Sequence, residues 1–149
     1  MRDSDTDTAL ARQAVAAARG WIGTPYRHQA SVRGVGADCL GLVRGVYRDL
    51  FGVEPEDPPP YAAGWAEAGG IELLAEAAAR HLLPVEDRDL GGGEVLLFRW
   101  RPGFPARHAG IASGPGTMIH AQSGAAVCEV PLGAWWLRRI AFVYRFRAG

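Results

Sequence analysis

Cys39 is the residue in this chain best placed to do covalent chemistry. Asp38 precedes it, and the following CLGLVRGVYRDL sets Cys39, Leu42, Val43, Val46, Tyr47 and Leu50 on one helical face. Asp38 then reads as an N-cap. Cys39 falls in the first turn, where unpaired N–H groups and the helix dipole favour negative charge. A thiolate there is a nucleophile for acyl transfer. Ionisation alone makes no catalyst, because a free thiol with pKa ~8.5 is already about 3% ionised at pH 7. Complete ionisation therefore raises the reactive fraction by at most about 30-fold, roughly 2 kcal/mol. A base that later protonates the leaving group, and donors for the oxyanion, are needed as well. Asp38 opposes the thiolate as a like charge. An N-cap carboxylate turns toward its own helix amides, however, so the cap is expected to prevail.

Four histidines are available as the base. His81 closes a predicted helix and is expected near its last carbonyls or in solvent. His28 lies in the loop before Cys39, near the site but without a part in it. His108 and His120 belong to consecutive predicted strands joined by Gly114-Pro115-Gly116, so antiparallel pairing can bring both to one end of a sheet. There they would face the amino end of the Cys39 helix. Nucleophile, base and orienting residue then follow the logic of a triad, with a second histidine in the third place. On spacing alone, other readings stand beside this one. Cys39 could be a core residue, the histidines could merely hydrogen-bond, or the three could bind zinc without a closely spaced ligand pair to anchor it.

The elements that must position these residues follow from periodicity. An Ala-rich helix is expected over residues 8–22, the Cys39 helix over 39–50 and a third over 71–83. Residues 26–37 read as a loop, and the proline-rich residues 55–61 as a surface connection. After Gly91-Gly92-Gly93, short strands are expected over 94–100, 109–113, 117–121 and 126–130, then one helical turn over 135–138 and a closing strand over 141–146. Helices followed by an antiparallel meander make an α+β fold, within one domain of residues 1–149.

Lys plus Arg total 16 and Asp plus Glu total 16, so the net charge is zero. That removes the electrostatic footprint of a nucleic-acid binder. The amino terminus MRDSDTDTAL has neither the basic start nor the apolar run of an export signal, and no stretch reads as a membrane span. Synthesis in the cytoplasm is the expectation, with delivery elsewhere left to another agent. Cys39 and Cys128 lie in no CxxC pair, and a bridge between them is disfavoured.

Three blocks of the sequence resemble the NlpC/P60 family. WIGTPYRHQASVRGVGADCLGLVRGVY, residues 21–47, carries Gly-Thr-Pro-Tyr, a glycine-containing loop, Asp-Cys, Gly-Leu-Val and a tyrosine, as that family's first motif does. GGGEVLLFR is similar to the strand before the family histidine, with Glu94 where Asp is usual. HAGIASGPGTMIHA, residues 108–121, resembles the second motif, with the second histidine twelve residues after the first. The resemblance implies a papain-like α+β fold with a three-helix side and a sheet of about five strands. It also implies hydrolysis of peptidoglycan stem peptides, often between D-γ-glutamate and the following diamino acid, with no cofactor and no metal.

By the same resemblance Cys39 is the nucleophile, His108 the general base and then acid, and His120 the orienting residue. Tyr26 matches a tyrosine whose hydroxyl lies beside the cysteine and polarises the oxyanion. Asp38 matches an acidic residue that holds the stem's free amine in some members, against its plain role as the cap. Leu40 stands where the family usually has serine, which leaves the stem preference open. The Asp-Cys-Leu-Gly-Leu-Val variant resembles peptidases of phage tails and gene transfer particles, implying tail proteins as partners and delivery inside a particle. Residues 55–61 with Trp65 are the expected docking segment. An amidase or acyltransferase of the same fold acting on another amide or lipid, and a catalytically silent tail protein, are the alternatives.

Overall fold

Trp21 shows how the helical layer is held together. It is buried at the end of the first helix and donates its indole N–H to Asp49 Oδ2 at 2.9 Å, on the second. The second helix accepts it because Gly45 has no side chain: a Cβ there would lie 2.0 Å from Trp21 Cζ2. One turn earlier, a Cβ on Gly41 would lie 1.8 Å from the Ala30 carbonyl oxygen. These two glycines let the indole and the preceding loop press against the helix that starts at Cys39.

The computed structural model of the chain describes residues 3–56 and 72–148. Most of the expected docking segment, including Tyr61 and Trp65, lies outside the described residues. Helix α1 is Asp3–Arg19 and helix α2 is Cys39–Phe51. Between them runs a small antiparallel hairpin of β1, Ser31–Val32, and β2, Gly36–Ala37. Helix α3, Leu73–His81, leads into strand β3, Leu83–Val85. Then come β4, Glu94–Phe98, β5, His108–Gly114, β6, Thr117–Ala121, and β7, Val127–Pro131. Helix α4, Ala134–Leu137, and β8, Ile140–Arg145, complete the described chain. Among the described residues no helix is long and apolar enough to cross a membrane.

The main sheet is antiparallel throughout, in the order β3-β8-β4-β5-β6-β7. The α+β expectation holds, with six strands where about five were expected. The extra strand is β3, three residues that the helical reading of 71–83 had partly absorbed. The β1–β2 hairpin lies inside the segment read as loop. Helix α1 starts earlier than expected and stops at Arg19, before Gly20.

Strand β4 reads EVLLF and is buried along its whole length. Val95 and Leu97 pack with α1, α2 and α3, while Leu96 and Phe98 join Leu90, Met118, Leu132 and Val143 on the opposite face. A continuous apolar run is what a strand covered on both faces requires. Glu94, only 4% exposed, accepts the N–H groups of Gly91 at 3.1 Å and Gly92 at 2.8 Å. Its buried carboxylate is thus satisfied by the backbone, which fixes the entry into β4.

Candidate active site

Asp38 builds the start of α2. Its backbone is extended, with φ −98° and ψ −173°, and its Oδ1 accepts the Gly41 N–H at 2.7 Å. Oδ2 accepts the Gln29 N–H at 2.6 Å, so one carboxylate ties the preceding loop to the helix. The expected cap forms, and Asp38 is 3% exposed.

The expected electrical consequence does not follow. The half-buried Cys39 thiol is pushed up to about 11, first by burial and then by the Asp38 charge. The N–H groups of Ala109, Leu40 and Cys39 itself pull the other way and lose. Cap geometry does not win, because first-turn amides cannot replace the solvation that the sulfur gives up. In the resting protein the group is a thiol.

The sheet brings the two histidines together. Strands β5 and β6 pair Ile111 with Ile119 and Ala112 with Met118. Continued along the ladder, this register sets His120 opposite Gly110, and His108 at the diagonal position on the same face. Diagonal neighbours are within reach for long side chains. His108 Nε2 lies 2.9 Å from His120 Nδ1, with the rings edge to face at 5.1 Å between centroids. His120 is 1% exposed, and its Nε2 is buried with no hydrogen-bond partner among the described residues. Trp136 holds both rings, stacked on His108 at 5.8 Å and edge to face with His120 at 5.3 Å. Trp100 stacks on His108 at 5.4 Å.

Both imidazoles are held neutral. Burial lowers His108 to about 3, helped by His120 and then by the Arg107 charge. Burial alone lowers His120. Burial is the first cause for both rings, and His108 also feels its two neighbours. Among the described residues no group of three or more His, Cys, Asp or Glu side chains is arranged to hold a metal ion. The histidine nitrogens that face each other are used on each other.

Tyr26, Asp38, Cys39, His108 and His120 all line one cleft of about 230 Å³. It opens where the amino end of α2 meets the start of β5 and the end of β6. Tyr26 is fixed there through backbone bridges, its own to Ala37 and that of Pro25 to Ala126. Its hydroxyl is pushed up by burial, then by Cys39 and Asp38, while Arg107 opposes them. His28 also lines the cleft, as expected of a neighbour. His81 lies elsewhere, with Nε2 3.1 Å from Glu56 Oε1. Cys128 is a free thiol on β7, in register with His120 and not among the cleft's lining residues. Sequence reasoning missed Trp100, Arg107 and Trp136, which line the same cleft. Arg107 had a signal in its adjacency to His108. The tryptophans had none that a linear pattern carries.

A helix that begins at a cysteine, set against an antiparallel sheet that carries a histidine pair, has the architecture of papain-like thiol hydrolases. The family model described as "NlpC/P60 family" matches residues 23–145, and the chain belongs to that family of cysteine peptidases. It is 32% identical over 98 residues to murein DD-endopeptidase MepH of Escherichia coli (strain K12), covering 66% of this chain and 31% of that protein. The chain thus spans about a third of the length of that relative. Among solved structures, it matches the NlpC/p60 domain of peptidoglycan hydrolase SagA with 25% identity and a TM-score of 0.62, covering 91% of this chain and 98% of that one. A lipoprotein-like NLP/P60 protein of Staphylococcus aureus subsp. aureus Mu50 shares the fold at 16% identity and a TM-score of 0.64, covering 96% and 43% of the two chains.

Proposed function

We propose that this protein is a cysteine endopeptidase that hydrolyses peptidoglycan stem peptides, with Cys39 as nucleophile, His108 as base and acid, and His120 as the residue that orients it. One observation carries the reading. The three side chains line a single cleft, and His108 uses Nε2 on His120, which leaves Nδ1 for the thiol. The similar proteins described as a murein endopeptidase and a peptidoglycan hydrolase support the substrate class.

The reaction starts with His108 carrying its proton on Nε2, donated to His120 Nδ1. The bare Nδ1 takes the proton of Cys39 as the sulfur attacks the stem carbonyl. Burial penalises thiolate and imidazolium separately. Transfer within the pair makes both charges at once, and their attraction in a low-dielectric site offsets much of that cost. The oxyanion develops beside the first-turn amides of α2 and the Tyr26 hydroxyl. Imidazolium then protonates the leaving amine, the C–N bond breaks and a thioester remains. Water, deprotonated by His108, attacks the thioester. Sulfur leaves and regains the proton, so one amide and one water have become an acid and an amine.

The bond we assign is that between D-γ-glutamate and the following diamino acid, the bond implied by the motif resemblance. Asp38 contributes chiefly as the cap, since both of its oxygens accept main-chain N–H groups. Incubation of purified protein with muropeptides, followed by mass analysis, should show cleavage at that bond, absent with Cys39→Ala. Intact muropeptides in the presence of folded wild-type protein would refute the reading.

The Asp-Cys-Leu-Gly-Leu-Val context at residues 38–43 supports a place in the tail of a phage-like particle, bound to tail proteins. A tail supplies both transport and a high local concentration at the wall. Mass spectrometry of purified particles tests this part; particles without the polypeptide overturn it and leave the chemistry untouched.

A further inference from the structure

Helix α4 reads AWWL and buries none of its four residues. Trp135 is 47% exposed and Leu137 49%. Large apolar groups gathered on a surface mark a place that something covers. Here the indoles form a line. Trp100 and Trp136 line the cleft and stack on His108 at 5.4 and 5.8 Å. Trp135 extends them outward, with its ring centroid 5.8 Å from that of Trp100 and 4.9 Å from that of Trp136. Arg139 holds it in place: the guanidinium lies 3.8 Å from the ring centroid, and Nη1 donates to the Trp135 carbonyl at 2.9 Å. Three indoles thus run without a break from His108 to the surface.

The proposed reaction decides which part of a substrate passes over them. The acyl carbon meets Cys39, and its oxygen turns to the first-turn amides of α2 and to Tyr26. The leaving amine must reach His108 instead, because the imidazolium protonates it. Chain attached to that amine therefore leaves the cleft on the His108 side, across Trp100 and Trp136. The steps from His108 to Trp100 and from Trp100 to Trp135 are 5.4 and 5.8 Å. Each is longer than one residue of extended chain, about 3.4 Å, and shorter than two. Trp135 is then abreast of the second or third residue after the scissile bond.

We infer that the three indoles form a subsite for the peptide on the amine side of the scissile bond, and that Trp135 reads the second and third residues of that peptide. The inference rests on the proposed peptidase function and deepens it. The fitting ligand is an extended segment with small apolar side chains, which can lie close against the indoles and remove apolar surface from water. Arg139 sets the charge rule: a cationic side chain at those positions would meet the guanidinium that already lies against Trp135. The contact is remote from the bond that breaks and is made before the transition state. It therefore lowers KM more than it raises kcat.

Two synthetic stem peptides test this, identical up to the scissile bond, one with a single residue after it and one with three. Both end in a carboxamide, so that they differ in length and not in terminal charge. The wild type should prefer the longer peptide by about 10-fold in kcat/KM, the scale of burying part of one aromatic ring, with the difference chiefly in KM. Trp135→Ala should bring the ratio close to one, and Trp135→Phe should retain part of it. Each variant is measured on both peptides, so a loss of folded protein lowers both rates and leaves the ratio. A wild type that cuts both peptides equally, or an unchanged ratio in Trp135→Ala, overturns the inference and leaves the peptidase intact. A wild type that cuts neither overturns the peptidase reading, and this inference with it.

Discussion

Gly41→Ala separates helix propensity from packing at the residue two positions after the nucleophile. Propensity alone predicts a gain, since Gly costs about 1 kcal/mol relative to Ala inside a helix. The structure predicts a loss. The new Cβ would lie 1.8 Å from the Ala30 carbonyl oxygen, against an ordinary contact of about 3.5 Å, and that atom is backbone. The loop must therefore withdraw by about 1.7 Å, given that contact distance. The same carbonyl accepts the Asp38 N–H at 3.2 Å, and Asp38 Oδ2 binds the neighbouring Gln29 amide, so both bonds are strained by the shift. Overpacking costs about 1–3 kcal/mol, and each lost hydrogen bond about 1 kcal/mol. After subtracting the propensity gain, the net loss is about 2 kcal/mol. For a chain of this size that lowers Tm by roughly 6 °C. The displaced segment also carries the cap of the Cys39 helix. A shift near 1 Å at reacting groups can cost about 100-fold in rate, so kcat/KM on muropeptides should fall by about that factor. Thermal and urea denaturation read the first effect, and steady-state cleavage reads the second. A Gly41→Ala protein as stable as the wild type, or more so, would show that the loop does not rest on the helix as described.

Cys39→Ala should lower turnover by about 10⁴-fold or more, the scale for loss of a covalent nucleophile, while Cys128→Ala remains active; the reverse pattern in the same assay would move the nucleophile to β7. His108→Ala should abolish cleavage, whereas His120→Asn or Gln keeps part of it, because an amide oxygen can still accept the His108 N–H. Equal, complete loss in folded proteins would deny the division of roles. Stability should depend on pH at both ends. His108 has its folded value lowered from 6.5 to about 3, so its contribution is present above about pH 6.5 and is lost as pH falls toward 3. Cys39 is raised from 9.0 to about 11, so its contribution is present below pH 9 and is lost as pH rises toward 11. Urea titrations of wild type, His108→Asn and Cys39→Ala across pH should show each slope missing from its own variant. Iodoacetamide should modify resting Cys39 slowly at pH 7 and faster toward pH 11; a plateau near pH 8 would mean that the thiol is not desolvated.

Residues adjacent in the chain determined much of this site before any tertiary contact. A carboxylate one residue before a run of apolar positions specifies a capped helix start, and both Asp38 and Cys39 are where that pattern puts them. Period-two strands joined by a tight turn bring His108 and His120 to one sheet end, because antiparallel register is set by the turn between them. Other features depended on groups far apart in sequence. Strand β8, the last in the chain, inserts between β3 and β4, an order that no local pattern encodes because it is decided by which edges remain to be covered. Strand β3 is too short to read, and it exists because β8 offers it a partner. Trp100 and Trp136 reach the histidines from a loop and from α4, through packing alone. The protonation state reversed the local expectation most sharply. A helix start argues for a thiolate from a few amides in one turn, whereas desolvation sums over every atom that displaces water from the sulfur, and those atoms come from the whole fold.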